Sequence, residues 1–187
     1  SKTFPISHIL PLINHGHEHF GENKVQEAHE KWTSLKNDFP QIKLHLIGKL
    51  QTNKVKLALP LFDYIHSLDS IKLAEKISSE QEKRNLKPKI FIQINLGKES
   101  QKSGIDEDDL ENFYRKCVKD YNLNIVGIMC LPPFDEDPIP FFKKMQSLSK
   151  SLELKEISMG MSNDYMDALK FNATYIRVGS KIFGDRS

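Results

Sequence analysis

Two glycine-containing segments near the end of the chain have residue types suited to binding a phosphate group. The first contains Gly160, Met161 and Ser162, and the second begins with Gly179 and Ser180. Each combines glycine, serine and a following helix start or turn, so that backbone N–H groups and a hydroxyl can point at an anion. A single glycine more often marks a turn, but the two segments together favour a phosphate site.

One face of three late predicted strands carries polar or very small side chains. Gln93 and Asn95 alternate with isoleucines, and Arg177 alternates with Ile176 and Val178. In the run 158–162, the small residues lie on the face opposite the two methionines. Since successive side chains of a strand point to opposite faces, these positions leave space and polar groups on one side of a sheet. Ordinary filling of a barrel interior explains any one strand, and the repetition over three strands favours a site.

Several common catalytic and metal-binding patterns find little support in the sequence. His15, His17 and His19 fall within five residues, but a glycine between the first two is expected to end a helix, and no acidic or cysteine ligands stand at a companion spacing. There is no G-x-S-x-G nucleophile elbow, no Walker A lysine motif and no G-x-G-x-x-G fingerprint. Cys117 and Cys130 are expected to be reduced packing residues. We therefore expect no metal site.

The elements that must position these groups alternate along the chain between short strands and helices. We predict seven strands, each followed by a helix or turn, at residues 19–21, 42–48, 64–68, 89–96, 124–131, 156–161 and 174–178. No linker is long enough to divide the chain. The pattern is typical of one α/β domain with a parallel sheet, spanning residues 1–187.

The number of strands leaves two architectures open. Seven strands in 187 residues are one short of a closed (β/α)8 TIM barrel, and an open doubly wound sheet fits the same pattern. The chain opens directly with a helix start, so we expect that the first barrel strand is missing or truncated before Ser1. A barrel usually binds phosphate after its seventh and eighth strands, where both glycine-containing segments fall, and this favours the barrel.

The composition describes a globular chain with neither a membrane nor a nucleic-acid signature. Hydrophobic residues make up 39% and charged residues 28%, which excludes collagen-like and wholly disordered chains. The net charge of +2 is too small a surplus to indicate nucleic-acid binding. No run of about 18 apolar residues and no secretory signal is present, so we expect a cytoplasmic protein.

Seven motifs occur in order along the chain at intervals that match one known family. They are Ser1-Lys2-Thr3, Phe20-Gly21-Glu22-Asn23 with Val25-Gln26-Glu27, His45-Leu46-Ile47-Gly48 with Leu50-Gln51-Thr52-Asn53-Lys54, Gln93-Ile94-Asn95, Lys102-Ser103-Gly104, Ser158-Met159-Gly160-Met161-Ser162, and Arg177-Val178-Gly179 with Ile182-Phe183-Gly184. Through these motifs the sequence resembles the pyridoxal phosphate homeostasis proteins, the YggS/PROSC family, essentially from end to end.

The resemblance implies a (β/α)8 TIM barrel of the alanine racemase N-terminal type, which holds pyridoxal 5′-phosphate (PLP) at the C-terminal ends of its strands. It implies that Lys2 is the Schiff-base lysine, although its position alone would suggest a solvated terminal lysine. On the same basis we expect Ser162 and nearby backbone N–H groups to bind the phosphate, at Gly160, Met161, Gly179 and Ser180. Arg177 would lie by the pyridine nitrogen, with Asn23 and Asn53 as donors in the pocket wall.

The resemblance also implies intracellular cofactor homeostasis, in which PLP is buffered or delivered through a reversible Schiff base at Lys2 without substantial turnover. One alternative is a PLP-dependent racemase or decarboxylase acting on amino acids. A barrel that binds another phosphorylated metabolite without a covalent step is a third possibility. Racemase-like enzymes bring a second base from a β-rich domain, which we expect to be absent after Gly184, and this expectation disfavours racemisation. We expect a monomer whose partners are PLP and cofactor-requiring apo-enzymes.

Overall fold

The computed structural model describes residues 1–97 and 103–184, and this part of the chain contains seven strands and eight α-helices. The strands are β1 (His19–Glu22), β2 (Lys43–Leu46), β3 (Tyr64–Leu68), β4 (Lys89–Ile94), β5 (Ile125–Cys130), β6 (Glu156–Met161) and β7 (Tyr175–Arg177). The helices are α1 (Ile6–Asn14), α2 (Val25–Asp38), α3 (Val55–Ala58), α4 (Ile71–Arg84), α5 (Leu110–Lys119), α6 (Ile139–Ser151), α7 (Tyr165–Lys170) and α8 (Ser180–Phe183). All seven strands pair in parallel, in the order of the chain.

The predicted succession of parallel strands and helices is confirmed, and each strand ends within two residues of its predicted bounds. Two helical segments begin with 3₁₀ turns, at Thr52–Lys54 before α3 and at Glu107–Asp109 before α5. Helix α6 starts at Ile139, with Pro140 in its first turn. Proline is tolerated there because the first N–H groups of a helix have no intrahelical acceptor.

The outer face of the sheet packs against the helices and forms the main hydrophobic core. Ile90, Ile92 and Ile94 of β4 alternate onto this face, and Trp32 of α2 is fully buried against it. Removing such apolar surface from water stabilises the fold by about 25 cal/mol per Å². Within residues 1–97 and 103–184, no helix combines the length and apolarity needed to cross a lipid bilayer.

The inner face of the sheet encloses a second, smaller core made of Tyr64, Phe91 and Met129. Tyr175 of β7 packs against this core, and its ring centroid lies 5.5 Å from that of His45 on β2. Strands near opposite ends of the sheet are therefore close in space, so the sheet curls into a nearly closed barrel. An open doubly wound sheet would hold these strands far apart, which makes that alternative wrong.

The carboxyl ends of the strands meet at one end of the barrel because all strands run in parallel. There β1 ends at Glu22, β6 ends at Met161 and β7 ends at Arg177. Gly48, just after β2, lets the neighbouring loop come close: a Cβ atom at this position would lie 2.2 Å from the carbonyl oxygen of Asn23. Most of the residues predicted to bind a ligand follow the strands at this end, where barrels carry their sites.

Candidate functional site

Arg177 stands at the carboxyl end of β7 and is held by two hydrogen bonds. Its Nη1 donates to Ser158 Oγ over 2.6 Å, and its Nη2 donates to the carbonyl oxygen of Cys130 over 2.8 Å. Burial lowers the pKa of the guanidinium, but the ordinary pKa is so high that the group stays charged. Two of its five N–H donors make these bonds. Arg177 therefore presents a fixed cation at the strand ends.

The two glycine-containing segments are in direct contact. The backbone N–H of Gly179 donates to Ser162 Oγ over 3.2 Å, and Ser180 begins α8 immediately after Gly179. The backbone N–H of Met161 donates to the carboxylate of Asp164, so this predicted phosphate donor is engaged locally. The structure thus brings Ser162, Gly179 and Ser180 together, as expected for two halves of one anion site.

Gly160 lets α7 pack directly over the end of β6. Its φ of +89° lies in the region that favours glycine, and a Cβ atom there would lie 2.7 Å from Ala168 Cβ and 3.0 Å from Tyr165 Cα. Real Cβ atoms do not approach so closely, so any side chain at this position would displace α7. The close packing of α7 on β6 therefore depends on the absence of a side chain at Gly160.

Replacing Gly160 with alanine is expected to lower the free energy of unfolding by about 2–4 kcal/mol, since backbone strain and overpacking both act. Urea denaturation measures the loss. Gly16→Ala is the matched control, because Gly16 has a similar φ of +91° but no atom within 4 Å of the added Cβ. The control should lose only about 1 kcal/mol from strain. Equal losses in the two variants would contradict close packing at Gly160.

Lys2 lies in a tight turn formed by residues 1–4. The N–H of Phe4 donates to the carbonyl oxygen of Ser1 over 3.2 Å and closes the turn. Thr3 has a φ of +65°, a conformation that is unusual for a β-branched residue. Its N–H donates to Glu27 Oε1 on α2 over 2.7 Å, which helps to hold this strained backbone. The turn is therefore a defined structure that presents Lys2 at its corner.

Side chains from β1 and α2 anchor Ser1, on the other side of Lys2. Ser1 Oγ donates to Glu22 Oε1 over 2.7 Å, and Lys31 Nζ donates to the Ser1 carbonyl oxygen over 3.0 Å. The same Glu22 oxygen accepts from Lys31 Nζ over 3.0 Å and from Trp32 Nε1 over 2.9 Å. Glu22 is fully buried. Removing one partner of such a buried pair leaves an uncompensated charge, so loss of Glu22 or Lys31 would destabilise this anchor.

The turn that contains Lys2 also touches the segment that contains Ser180. The ring of Phe4 stacks on the ring of Phe183 in α8, with centroids 4.8 Å apart and planes inclined by 23°. Anchors on β1 and a contact on α8 place the turn at the seam, the line along which β1 and β7 face each other. The turn that bears the Lys2 amine, the segment predicted to bind phosphate and the Arg177 cation are thus gathered at the same end of the barrel.

The two predicted asparagines occupy different surroundings. Asn23 follows β1 directly and is partly buried beside Gly48. Asn53 is exposed in its 3₁₀ turn and lines a groove against Lys72 and Lys76 of α4. Within the described ranges, no hydrogen bond joins Asn53 to Ser162 or Arg177. Lys102, part of one sequence motif, lies outside the described residues.

Several residues at the site were missed by sequence reasoning. Glu27 and Lys31 resemble ordinary surface charges of a helix, and nothing in the sequence indicates their contacts with the Lys2 turn. His66 and Ser158 face the barrel interior and are hydrogen-bonded to each other over 2.9 Å. The signal available in the sequence was the alternation of residues along β3 and β6, which places both side chains on the inner face of the sheet. His19, weighed above as a metal ligand, is hydrogen-bonded to an imidazole instead, and no group of three or more potential ligands forms among the described residues.

The sequence has close relatives among proteins of known name. It matches the family described as alanine racemase, N-terminal domain, over residues 4–187. The pyridoxal phosphate homeostasis protein of Aquifex aeolicus (strain VF5) is 36% identical over 195 residues, covering all of this chain and 85% of that protein. The Homo sapiens protein of the same name is 36% identical over 208 residues, covering all of this chain and 74% of that protein.

Solved structures show the same architecture. PipY of Synechococcus elongatus PCC7942 without PLP has a TM-score of 0.93 at 36% identity, and the alignment covers 98% of this chain and 90% of PipY. PipY with PLP bound has a TM-score of 0.91 at 34% identity, with the same coverage. The predicted barrel of the alanine racemase N-terminal type is confirmed by these matches. The chain belongs to the pyridoxal phosphate homeostasis protein family.

Proposed function

We propose that this protein binds PLP through a reversible Schiff base at Lys2 and acts in intracellular cofactor homeostasis. The observation that carries the proposal is the contact between the Lys2 turn and the segment at Ser180, made through the Phe4 and Phe183 rings. The names of the relatives and the PLP-bound structure of PipY support it. PLP supplies an aldehyde that condenses with a lysine amine with loss of water, and hydrolysis returns both partners.

The described residues fit this cofactor in charge and in shape. Ser162 Oγ and the first N–H groups of α8 offer hydrogen-bond donors to a phosphate, since those N–H groups have no acceptor within the helix. Gly160 lets α7 pack against the end of β6, directly before the segment that carries Ser162. The N–H of Gly179 donates to Ser162 Oγ and orients that hydroxyl. We propose that Ser162 and Ser180 donate to the phosphate and that the backbone at Gly160, Met161 and Gly179 shapes the site.

The anchors on both sides of Lys2 support its role as the covalent attachment point. A lysine amine adds to an aldehyde only in its unprotonated form, and it must meet the carbonyl carbon at a defined position. Glu22 accepts from the Ser1 hydroxyl, Glu27 accepts from the Thr3 N–H, and Lys31 donates to the Ser1 carbonyl, so the residues on both sides of Lys2 are held in place. We propose that this arrangement makes attachment at Lys2 faster than at other surface lysines.

The cation at Arg177 supports a role as a PLP carrier rather than as an enzyme that turns over amino acids. We propose that it faces the pyridine nitrogen and keeps that nitrogen unprotonated, which weakens the ring as an electron sink. Transamination and similar reactions need a strong sink, whereas reversible binding does not. Turnover of amino acids at ordinary enzyme rates would contradict the carrier role and favour a racemase or decarboxylase.

The first test is a spectrum followed by chemical trapping. PLP is added to the purified protein, the visible absorption is recorded, and the complex is reduced with borohydride, digested and mapped by mass spectrometry. We expect a Schiff-base absorption band and one reduced label, on the peptide that contains Lys2. No band, or a label distributed over many surface lysines, would show that the chain does not bind PLP in this way.

Arg177→Glu is expected to shift the visible absorption of the bound cofactor, because a carboxylate beside the pyridine nitrogen favours its protonated form. The change also removes the bonds to Ser158 and Cys130, so Arg177→Gln serves as the neutral control for their loss. Spectra of both variants are compared with that of the unaltered protein at equal bound PLP. Identical spectra in all three would show that Arg177 does not face the pyridine ring.

We further propose that residues 1–187 act as one domain, as a monomer, in the cytoplasm, and that apo-enzymes requiring PLP receive the cofactor from it. A reversible bond suits such transfer, since hydrolysis frees the aldehyde for another lysine. Sedimentation at high concentration tests the monomer, and a sedimenting dimer would overturn that part. Transfer is tested by mixing the loaded protein with an apo-enzyme and following the return of its activity.

A further inference from the structure

A continuous chain of side-chain hydrogen bonds crosses the barrel interior. Arg177 Nη1 lies 2.6 Å from Ser158 Oγ, which lies 2.9 Å from His66 Nδ1. His66 Nε2 lies 2.9 Å from His45 Nδ1, and His45 Nε2 lies 2.9 Å from His19 Nδ1. The chain therefore leads from the carboxyl end of β7, through β6, β3 and β2, to the amino end of β1.

Arg177 sets the direction of every bond in this chain. A guanidinium only donates, so Ser158 Oγ accepts from it. Within the described part of the protein, His66 Nδ1 is the other partner of Ser158 Oγ, and it receives the hydroxyl hydrogen. A neutral imidazole has one donor and one acceptor nitrogen. His66 and His45 consequently both carry their hydrogen on Nε2, and each donates towards His19.

The two inner imidazoles are held in place and kept neutral by their surroundings. His45 stacks on Tyr64 with centroids 4.1 Å apart, and His66 stacks on Phe91 with centroids 4.2 Å apart. Burial, helped by neighbouring His19, lowers the pKa of His45 to about 3. Burial, helped by His45 and Arg177, lowers the pKa of His66 well below its ordinary value. The imidazole rings must be neutral if all hydrogen bonds from Ser158 to His19 are to be donated in the same direction.

Charged groups surround the exposed end of the hydrogen-bond chain, at His19, rather than its middle. His19 is exposed at the start of β1, and the groups acting on it or on His45 are His17, Glu18, Lys43, Asp63 and Lys89. Asp63 is itself paired with Lys36 over 2.9 Å, and Lys89 donates to the Tyr64 hydroxyl over 3.2 Å. At the other end, Arg177 supplies the fixed charge that orients the bonds.

We propose that Ser158, His66 and His45 are positioning residues for Arg177: they keep the Ser158 hydroxyl turned so that its oxygen accepts from the guanidinium. Without an acceptor at His66, the Ser158 hydrogen would be free to turn towards the cation and weaken this bond. The consequence for the cofactor rests on the proposed function, in which Arg177 faces the pyridine nitrogen. The direction in which the hydrogen bonds are donated does not rest on the proposed function.

The first test asks in which direction the hydrogen bonds are donated, and it uses the protein without PLP. Nitrogen-15 NMR of the histidine side chains distinguishes protonated from unprotonated ring nitrogens. At pH 7.5 we expect His45 and His66 each to show a protonated Nε2 and an unprotonated Nδ1. A protonated Nδ1 on His66 would overturn the proposal whatever the protein does with PLP. A wild-type protein that forms no band with PLP would overturn the proposed function and leave this result standing.

The effect on Arg177 is tested with His66→Asn and His66→Leu, two variants of nearly equal shape. The Asn Oδ1 atom can take the place of Nδ1 and accept from Ser158, whereas Leu cannot. We expect His66→Leu to lose the slowly exchanging Arg177 side-chain N–H signal, and with PLP bound to shift the pH midpoint of the visible band by about one unit. His66→Asn should retain the signal and the wild-type midpoint.

Matched folding controls keep the comparison decisive. Both His66 variants are compared by thermal unfolding, and Ser158→Ala serves as a second route if either fails to fold. Ser158→Ala removes the acceptor itself and should reproduce the spectral shift of His66→Leu. The same midpoint in His66→Leu and His66→Asn, or a wild-type midpoint in Ser158→Ala, would overturn the positioning role.

Discussion

Alanine in place of Lys2 is expected to abolish the visible band that PLP develops with this protein and to remove the borohydride-stable label. Without the amine no Schiff base forms at the turn, and the phosphate contacts alone remain. We expect the dissociation constant for PLP to rise at least about 100-fold, which corresponds to ~2.7 kcal/mol. Equilibrium dialysis gives the affinity, and absorption and mass spectrometry follow the band and the label.

Lys119→Ala is the control for this change, because Lys119 is an exposed lysine at the end of α5. It should leave the band, the label and the affinity unchanged. If Lys2→Ala instead bound PLP as tightly as the unaltered protein, the covalent role of Lys2 would be wrong. The barrel would then be a binder of phosphorylated metabolites without a covalent step.

Mild acid is expected to destabilise the protein strongly, because His45 and His66 stay neutral when folded and take up protons when unfolded. Both folded pKa values lie below the unfolded value of about 6.5, so the unfolded state binds more protons as the pH falls through 6.5. Stability is therefore full above that pH and is lost below it. Between pH 7.5 and pH 5 each imidazole should lower the free energy of unfolding by about 2 kcal/mol, ~4 kcal/mol in total.

Urea denaturation at several pH values between 5 and 7.5 measures this loss. His45→Phe keeps a ring stacked on Tyr64 but cannot titrate, so we expect the loss between these pH values to fall to about half. His15→Gln is the control, since His15 is exposed and its replacement should leave the pH dependence as it was. A stability that does not change with pH in the unaltered protein would show that the inner imidazoles are not held neutral by the fold.

Much of the barrel could be predicted from residue order alone. In β4, isoleucines alternate with Phe91 and Gln93, and this alternation divides the strand into an outer and an inner face. The positions of Ser158 and Arg177 on inner faces could be predicted in the same way. Both glycine-containing segments follow late strands, so their place at the carboxyl ends of the strands could also be predicted from the sequence.

The anchors of Lys2 could not be predicted in this way. Glu22 lies 21 positions from Ser1 and Glu27 lies 24 positions from Thr3, and nothing along the sequence pairs either of them with the turn. Their roles arise only when β1 and α2 fold beside the turn. The role of Asn53 stays a prediction: its motif suggests a pocket wall, and in the structure it lies exposed in a groove beside α4.

By itself the sequence determined the order of strands and helices, the inner face of each strand and the positions of the two glycine-containing segments. These features depend on residues that are neighbours along the chain. Only the tertiary structure decided which inward side chains meet. His66 and Ser158 are 92 positions apart, and Arg177 and Cys130 are 47 apart. They come within hydrogen-bond distance because the sheet curls into a barrel, and strand twist and register determine where each side chain lies across its interior.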